Sequence, residues 1–347
     1  MTDIQAARCR KLFAAVLLAQ LDEFNGRYNK QKRLARGKPE AVAVEARRYL
    51  SGSSARYLAA LADEIWLNPK CMVWIECFSN YSNFFAEGLD KLEVEVNLFR
   101  AGAYKSAMEP WIRNDMSPEA RENALLWISN LWQQYLEAVA LRRGLPLEDL
   151  SRSINDYADR LDAAGGDFAQ LALETGLVDR LVSRPEALLS LAQQGAPGTG
   201  AEGYRQVDFQ NYLALTDLQQ VPAAGGQVAI VVAEGEIVRG EQPQGMVGAV
   251  SLSEKLQQLA ETRNVRAVVL RVDSPGGDAF AAEKIRRELQ ALKEAGKTVV
   301  VSMGDVAASG GYWIAMGADE VWASPSTITG SIGVFGILPT FSRPLEK

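Results

Sequence analysis

The residues best suited to chemistry lie in two glycine-rich segments, each directly after a valine-rich run. Asp273–Gly277 (DSPGG) follows AVVLRV, and Gly304–Trp313 (GDVAASGGYW) follows TVVVSM. In the first segment, two glycines after a proline let backbone amides approach an anion or an oxyanion. In the second, Ser309 is flanked by small residues where a loop enters a helix, so its Oγ can meet a substrate while the Gly310 amide points at the developing oxyanion. One segment offers donors and the other a nucleophile, which together indicate acyl transfer.

Each segment taken alone also has an ordinary structural explanation. DSPGG is compatible with a simple strand-to-helix turn, because the proline disfavours helix at the residue before it. Ser309 is compatible with a helix cap in a small-residue N-terminus that packs closely against a neighbour. The catalytic interpretation therefore depends on both segments lying at adjacent strand ends.

The 347 residues include no histidine. This absence excludes Ser-His-Asp and Cys-His catalysis, the zincin helix and any zinc or haem site with histidine ligands. A serine nucleophile would need another base, and the candidates are carboxylates or a lysine whose pKa is lowered. Lys105 lies among aromatic and small apolar residues in FRAGAYKSAMEPW, where partial burial would disfavour its ammonium form. The alternative is a solvated surface lysine, and only the fold can bring Lys105 to Ser309.

Composition narrows the function classes further. The chain has 37 Lys and Arg against 43 Asp and Glu, a net charge of −6 without a basic stripe, which argues against nucleic acid as a partner. The cysteines Cys9, Cys71 and Cys77 are an odd number without metal-ligand spacing, so we expect neither a disulfide framework nor a metal site. No apolar run approaches the length of a membrane span, and Leu12–Leu21 is interpreted as part of an amphipathic helix.

The second half of the chain has the pattern of an α/β protein. Val-rich runs that alternate with helical segments indicate parallel strands buried on both faces. Such sheets place their sites outside the carboxyl ends of the strands, which is where both glycine-rich segments fall. The sequence predicts strands over 228–232, 267–272 and 298–303, and helices over 253–261, 279–295 and 118–142, the last capped by Ser117.

One internal repeat suggests two domains of the same architecture. Ser53–Pro69 and Ser309–Pro325 share seven of seventeen residues when aligned without gaps. We therefore predict a first repeat over 1–192 that carries Lys105 and a helical extension, a linker over 193–226, and a second repeat over 227–347 that carries Ser309. Both repeats are expected to be incomplete. Ser53 matches Ser309 in position but is followed by serine instead of two glycines, so we expect it to be non-catalytic.

The sequence resembles the long, two-repeat form of the bacterial membrane-bound serine peptidases of the signal peptide peptidase A family. The resemblance extends from about Gly37 to Thr340. It implies a tandem Clp-protease/crotonase-like fold, a spiral of ββα units, with no cofactor. By position it implies Lys105 as general base, Ser309 as nucleophile, and the amides of Gly310 and Gly277 as oxyanion donors. The segments that carry it are FRAGAYKSAMEPWIRNDMSPEARE, VLRVDSPGGDAFAAEKIRREL, VVVSMGDVAASGGYWIAMGADEVWASPSTITGSIGVFG and LADEIWLNP.

The same resemblance implies a substrate and a setting. It implies cleavage of signal peptides retained in the membrane, with a preference for small apolar residues. It also implies a homotetramer on the periplasmic side of the bacterial inner membrane, held by an anchor outside this chain. Two other functions stay open on the sequence: a crotonase-like enzyme acting on acyl-CoA, which would also use a Gly-rich oxyanion turn, and a non-catalytic assembly module.

Overall fold

The computed structural model divides the chain into two compact units. Unit 1 comprises Met1–Phe78 and Trp132–Gln220, and unit 2 comprises Ser79–Leu131 and Val221–Lys347. The structure describes the backbone of residues 14–17 and residues 59–60, 62–195, 197–198, 203–207, 211 and 226–345. Among these described residues, no helix has both the length and the apolar composition needed to cross a membrane.

Unit 1 contains a small parallel sheet with helices. Strands β1 (Ala14–Leu17), β2 (Glu64–Leu67) and β4 (Arg180–Leu181) lie in the order β1-β2-β4. Trp66 and Leu67 in β2 are completely buried. The helices are α3 (Pro118–Arg143), which ends in this unit, α4 (Leu147–Asn155), α5 (Tyr157–Ala163), α6 (Phe168–Glu174) and α7 (Arg184–Gln194).

The interpretation of Leu12–Leu21 as helix is wrong where the structure describes it. Ala14–Leu17 forms strand β1, paired in parallel with Glu64–Leu67 residue for residue. A short apolar run is compatible with either a buried helix or a buried strand, because periodicity alone does not separate them. Here the pairing with the neighbouring strand β2 makes this segment a strand.

Unit 2 is built on a parallel five-stranded sheet, in which four strands lie in the order β10-β9-β8-β5 and the short strand Ile328–Gly330 pairs with β9. Its strands are β5 (Gln227–Glu234), β8 (Val265–Ser274), β9 (Thr298–Ala308) and β10 (Glu320–Trp322). The connecting helices are α8 (Ala249–Glu261), α9 (Ala279–Glu294) and the short α10 (Gly310–Ala315). Leu256 of α8 and Ile285 and Leu289 of α9 are completely buried in the core that the helices form with the sheet. The predicted α/β class is confirmed. Strand β9 extends five residues further along the chain than the sequence predicts and ends immediately before Ser309.

Three smaller pairings surround the carboxyl ends of this sheet. Strand β6 (Ile237–Val238) pairs with β7 (Val247–Gly248), and β11 (Ile328–Gly330) runs parallel to the last residues of β9. Strand β3 (Glu95–Ala101) pairs antiparallel with β12 (Val334–Thr340), from Ala101 opposite Val334 to Glu95 opposite Thr340. The remaining helices of the described part of the chain are α1 (Ala86–Lys91), α2 (Glu109–Ile112) and α11 (Ser342–Leu345).

The boundaries of the two compact units differ from the boundaries of the predicted domains 1–192, 193–226 and 227–347. Residues 79–131, which include Lys105, belong to the same unit as Ser309. The physical reason is the ribbon of β3 and β12, which fastens this early segment to the end of the chain. The duplication itself stays a prediction, and Ser53 lies outside the described residues.

Candidate active site

Ser309 lies at the junction where β9 ends and α10 begins. Its backbone has φ 52° and ψ −117°, a left-handed conformation that costs a residue with a side chain about 1–3 kcal/mol. Two backbone hydrogen bonds hold it there: its N–H donates to the Gly330 carbonyl at 2.8 Å, and its carbonyl accepts from Trp313 at 2.9 Å. The Ser309 side chain makes no capping hydrogen bond to the helix, so the alternative of a simple helix cap is not what the structure contains.

Lys105 reaches this serine although 204 residues separate them in sequence. Strand β3 ends four residues before Lys105, and its partner β12 begins three residues after Ser331. The lysine Nζ lies 2.8 Å from Ser309 Oγ, 2.8 Å from the Ser331 carbonyl oxygen and 3.2 Å from Ser331 Oγ. The β3–β12 ribbon therefore places the amine between two serines.

The Lys105 amine is enclosed without a neutralising carboxylate. The residue is only 5% exposed, and among the described residues no acidic side chain forms an ion pair with it. The centre of the Phe335 ring lies 6.0 Å from Nζ. Burial penalises the ammonium form and lowers the pKa of Lys105 below its ordinary value. A larger fraction of this amine is therefore neutral at a given pH than for a surface lysine.

Two backbone amides meet next to Ser309. Ile237 donates to the Gly276 carbonyl and accepts from the Asp278 N–H, both at 2.8 Å, which leaves the Gly277 amide between them without a described acceptor. The Gly310 amide begins α10 and also donates to no described residue. A Cβ built on Gly310 would lie 3.3 Å from Gly277 N, so the Gly277 amide lies close to the start of α10. Paired free donors beside a nucleophile are the arrangement that an oxyanion requires.

The turn that carries Gly277 is shaped by glycine. Gly276 has φ 100°, and a Cβ there would lie 2.7 Å from Ser309 Cβ and 2.5 Å from Gly310 N. Gly277 has φ 150°, and a Cβ there would overlap the Ile237 carbonyl oxygen. The buried Ser274 hydroxyl accepts a hydrogen bond from the Gly276 N–H at 3.1 Å. DSPGG is thus a strand-to-helix turn, and its backbone lies directly against the serine.

The structure brings together all four sequence-predicted site residues, Ser309, Lys105, Gly310 and Gly277, within unit 2. It adds Ser331, to which the sequence assigned no role. Ser331 lies in STITGSIGVFG and has φ 50°, but nothing in its spacing connects it to Lys105. Among the described residues, no cluster of three or more Cys, Asp or Glu side chains is placed to hold a metal ion.

Comparisons with known proteins give the sequence relationships of the chain. The model of peptidase family S49 matches residues 32–196 and 291–347, which include Lys105 and Ser309. Protease 4 of Salmonella typhi is 42% identical over 291 residues, 84% of this chain and 46% of that protein. Protease 4 of Haemophilus influenzae is 40% identical over 313 residues, 90% of this chain and 50% of that protein. The chain spans about half the length of these curated relatives.

Solved structures match shorter parts of the chain. ClpP1 from Listeria monocytogenes is 27% identical, with a TM-score of 0.21 over 26% of this chain and 46% of that chain. A membrane-bound stomatin-specific protease in complex with a substrate peptide is 24% identical, with a TM-score of 0.26 over 31% and 46%. An enoyl-CoA hydratase from Polaromonas is 17% identical, with a TM-score of 0.24 over 30% and 48%.

Proposed function

The chain belongs to peptidase family S49, and from this premise we propose that it hydrolyses peptide bonds as a serine endopeptidase through an acyl-enzyme. In this proposal Ser309 is the nucleophile and Lys105 the general base. The observation that supports it most directly is the 2.8 Å separation of Lys105 Nζ and Ser309 Oγ. This distance lies within the reach needed for proton transfer.

The proposed proton transfer follows from the three contacts of the amine. A neutral lysine has two N–H donors and one lone pair. The donors are directed to the carbonyl oxygen and Oγ of Ser331, at 2.8 and 3.2 Å, which leaves the lone pair for the Ser309 hydroxyl. As Oγ attacks the peptide carbonyl, its proton moves to Nζ. The resulting ammonium then gives that proton to the leaving amine, which departs as the acyl-enzyme forms.

Negative charge develops on the carbonyl oxygen during attack, and the free amides of Gly277 and Gly310 are proposed to receive it. One such donor contributes about 10²–10³ in rate. In the second half of the reaction, neutral Lys105 accepts a proton from water, whose oxygen attacks the ester. Ser309 leaves with a proton returned from Nζ, and the free enzyme is restored. Every step uses groups that lie within unit 2.

The proposal also includes the substrate, the oligomeric state and the cellular location of the protein. We propose signal peptides left in the membrane as substrates, cut at small apolar residues. We also propose assembly as a homotetramer on the periplasmic side of the bacterial inner membrane. The relatives from Salmonella typhi and Haemophilus influenzae carry the name Protease 4, and an Arabidopsis thaliana relative, 29% identical over 306 residues, is named serine protease SPPA. The names support a protease, and the Arabidopsis thaliana relative is described as chloroplastic. The proposed substrate, tetramer and periplasmic location are supported by the resemblance of the sequence.

Trapping the acyl-enzyme tests this function. The chain is mixed with a peptide ester of small apolar residues, quenched in acid, digested, and searched by mass spectrometry for the peptide acyl group. We expect the acyl group on Ser309, because its Oγ alone faces both the base and the two free amides. A Ser326→Ala variant, altered at an exposed serine, serves as the control and should label like the parent.

Two results would contradict the peptidase function. One is an acyl group attached to a residue other than Ser309, or labelling that persists in Ser309→Ala. The other is tight binding of coenzyme A together with turnover of an acyl-CoA by Ser309→Ala, which would support the crotonase-like enzyme instead.

A further inference from the structure

Glu109 is a buried carboxylate that the proposed reaction does not use. It lies four residues after Lys105, at the start of α2, and is 2% exposed. Its carboxylate accepts hydrogen bonds from Ser117 Oγ at 2.6 Å, from Ser117 N at 3.0 Å and from Arg100 Nη1 at 3.3 Å. Burial by itself raises the pKa of this carboxyl, but the hydrogen bonds from Ser117 and Arg100 outweigh it and hold the pKa below its ordinary value. Glu109 is therefore a satisfied, ionised group inside unit 2.

The partners of Glu109 lie on the elements before and after the lysine. Arg100 belongs to β3, and the same Nη1 lies 3.5 Å from the backbone carbonyl oxygen of Lys105. Ser117 caps α3, where its Oγ accepts from the Ala120 N–H at 3.1 Å. The backbone N–H of Glu109 itself donates to the Ser106 carbonyl at 2.9 Å. One carboxylate thus connects the strand that leads to the lysine, the lysine segment and the helix that follows.

We propose that Glu109 is a positioning residue that, through Arg100 and Ser117, fixes the backbone of Lys105 so that its amine reaches Ser309. The proposal rests on the proposed function. Lysine has four side-chain torsions, so its amine is precisely placed only if its backbone is fixed and its surroundings are packed. A displacement of about 1 Å can cost about 10²-fold in rate. Arg100 also neutralises Glu109, so this fixation adds no uncompensated negative charge near the amine.

A second contact between the lysine segment and α3 provides a matched control. Tyr104 donates from its hydroxyl to Glu122 at 2.9 Å, and both side chains are exposed. An exposed hydrogen bond contributes little, because water replaces either partner. Glu122→Gln and Glu109→Gln make the same chemical change on the two sides of the same short segment. Of these two variants, only Glu109→Gln removes a buried charge that orders the backbone of Lys105.

The first measurement is steady-state hydrolysis of a peptide ester by folded variants. In Glu109→Gln one acceptor oxygen becomes an NH2 group, which cannot accept a hydrogen bond from the Ser117 N–H or from Arg100, so the connection of this residue to α3 or to β3 is weakened. We expect kcat to fall about 10- to 100-fold with KM changed less than about twofold. For Glu122→Gln we expect both constants to stay within about twofold of the parent. Ser117→Ala, which removes one hydrogen bond of Glu109, should lower kcat in the same direction by less, and it replaces Glu109→Gln if that variant does not fold.

The second measurement reports the amine directly and does not depend on turnover. Acetylation of Lys105 by acetic anhydride is followed against pH by mass spectrometry, with exposed Lys91 as the internal reference. Burial lowers the pKa of Lys105, so a displaced and better hydrated amine must titrate at higher pH. We expect the midpoint for Lys105 to move up towards the ordinary lysine pKa of about 10.4 in Glu109→Gln and to stay in place in Glu122→Gln.

The proposal is overturned by a folded Glu109→Gln variant whose kcat stays within twofold of the parent. It is also overturned if kcat and the melting temperature fall together while the Lys105 midpoint stays in place, because that pattern describes a purely structural residue. Failure of the underlying function has a different signature: a Lys105→Met variant would retain kcat. In that case the acetylation midpoint in Glu109→Gln still tests whether Glu109 positions the amine.

Discussion

Replacing Lys105 by methionine is expected to lower kcat/KM for a peptide ester by about 10²- to 10⁴-fold. General-base catalysis supplies rate factors of this size, and no other described titratable side chain bonds to Ser309 Oγ. Methionine retains an apolar stem of similar length, so the variant tests the amine itself. Because the change also removes a group that is costly to bury, the melting temperature should be unchanged or higher.

Lys91→Met is the matched control for this prediction. Lys91 is exposed, and its one side-chain partner among the described residues is the exposed Glu87, at 2.8 Å, so its loss should leave kcat/KM within about twofold of the parent. A folded Lys105→Met variant with more than about a tenth of the parent activity would contradict the role of Lys105 as base. An equal loss in both lysine variants would point to an effect of charge on the whole chain.

Gly276→Ala is expected to lower kcat/KM by about 10²- to 10³-fold, the contribution of an oxyanion donor. The new methyl group would lie 2.7 Å from Ser309 Cβ and 2.5 Å from Gly310 N, so the backbone on one or both sides must move. The displaced groups are the nucleophile and one of the two free amides. The left-handed φ of 100° adds strain of about 1–3 kcal/mol, which should lower the melting temperature as well.

Gly245→Ala is the control variant that distinguishes the effect of steric crowding from the effect of backbone strain. Gly245 has φ 97°, close to that of Gly276, but a Cβ there meets no other atom within 4 Å. We therefore expect a comparable loss of stability with kcat/KM retained, and kinetics and thermal unfolding measured on both variants check this. Retained activity in Gly276→Ala, or an equal loss of activity in Gly245→Ala, would contradict the close contact between the turn and the serine.

The parts of the site that sequence could predict are those encoded locally. Val-rich runs followed by glycines place DSPGG and Ser309 at the ends of adjacent strands, and β8 and β9 pair as that pattern requires. Because the sequence has no histidine, lysine and carboxylates are the candidate bases. The apolar neighbours of Lys105 and the resemblance of the segment around it indicate this lysine, whereas its separation of 204 residues from Ser309 does not indicate that the two side chains meet.

The parts that sequence could not predict depend on long-range pairing. Asn97 of β3 lies opposite Leu338 of β12. No local sequence pattern predicts a pairing between segments so far apart in the sequence. This ribbon is also why the lysine segment belongs to the same compact unit as Ser309. Ser331 and Glu109 were missed for the same reason, because a serine and a glutamate acquire a role only from the side chains that the fold brings to them.

The pH dependence of kcat/KM for a peptide ester, corrected for uncatalysed hydrolysis, tests the central claim that neutral Lys105 activates Ser309. Burial lowers the pKa of Lys105, and only the neutral amine accepts the proton. The rate constant should therefore be small below that pKa, rise about tenfold per pH unit towards it, and level off above it. The account predicts an ascending limb that ends below the ordinary lysine pKa of about 10.4 and disappears in Lys105→Met. A limb at the ordinary lysine value, or one that persists in Lys105→Met, would contradict it.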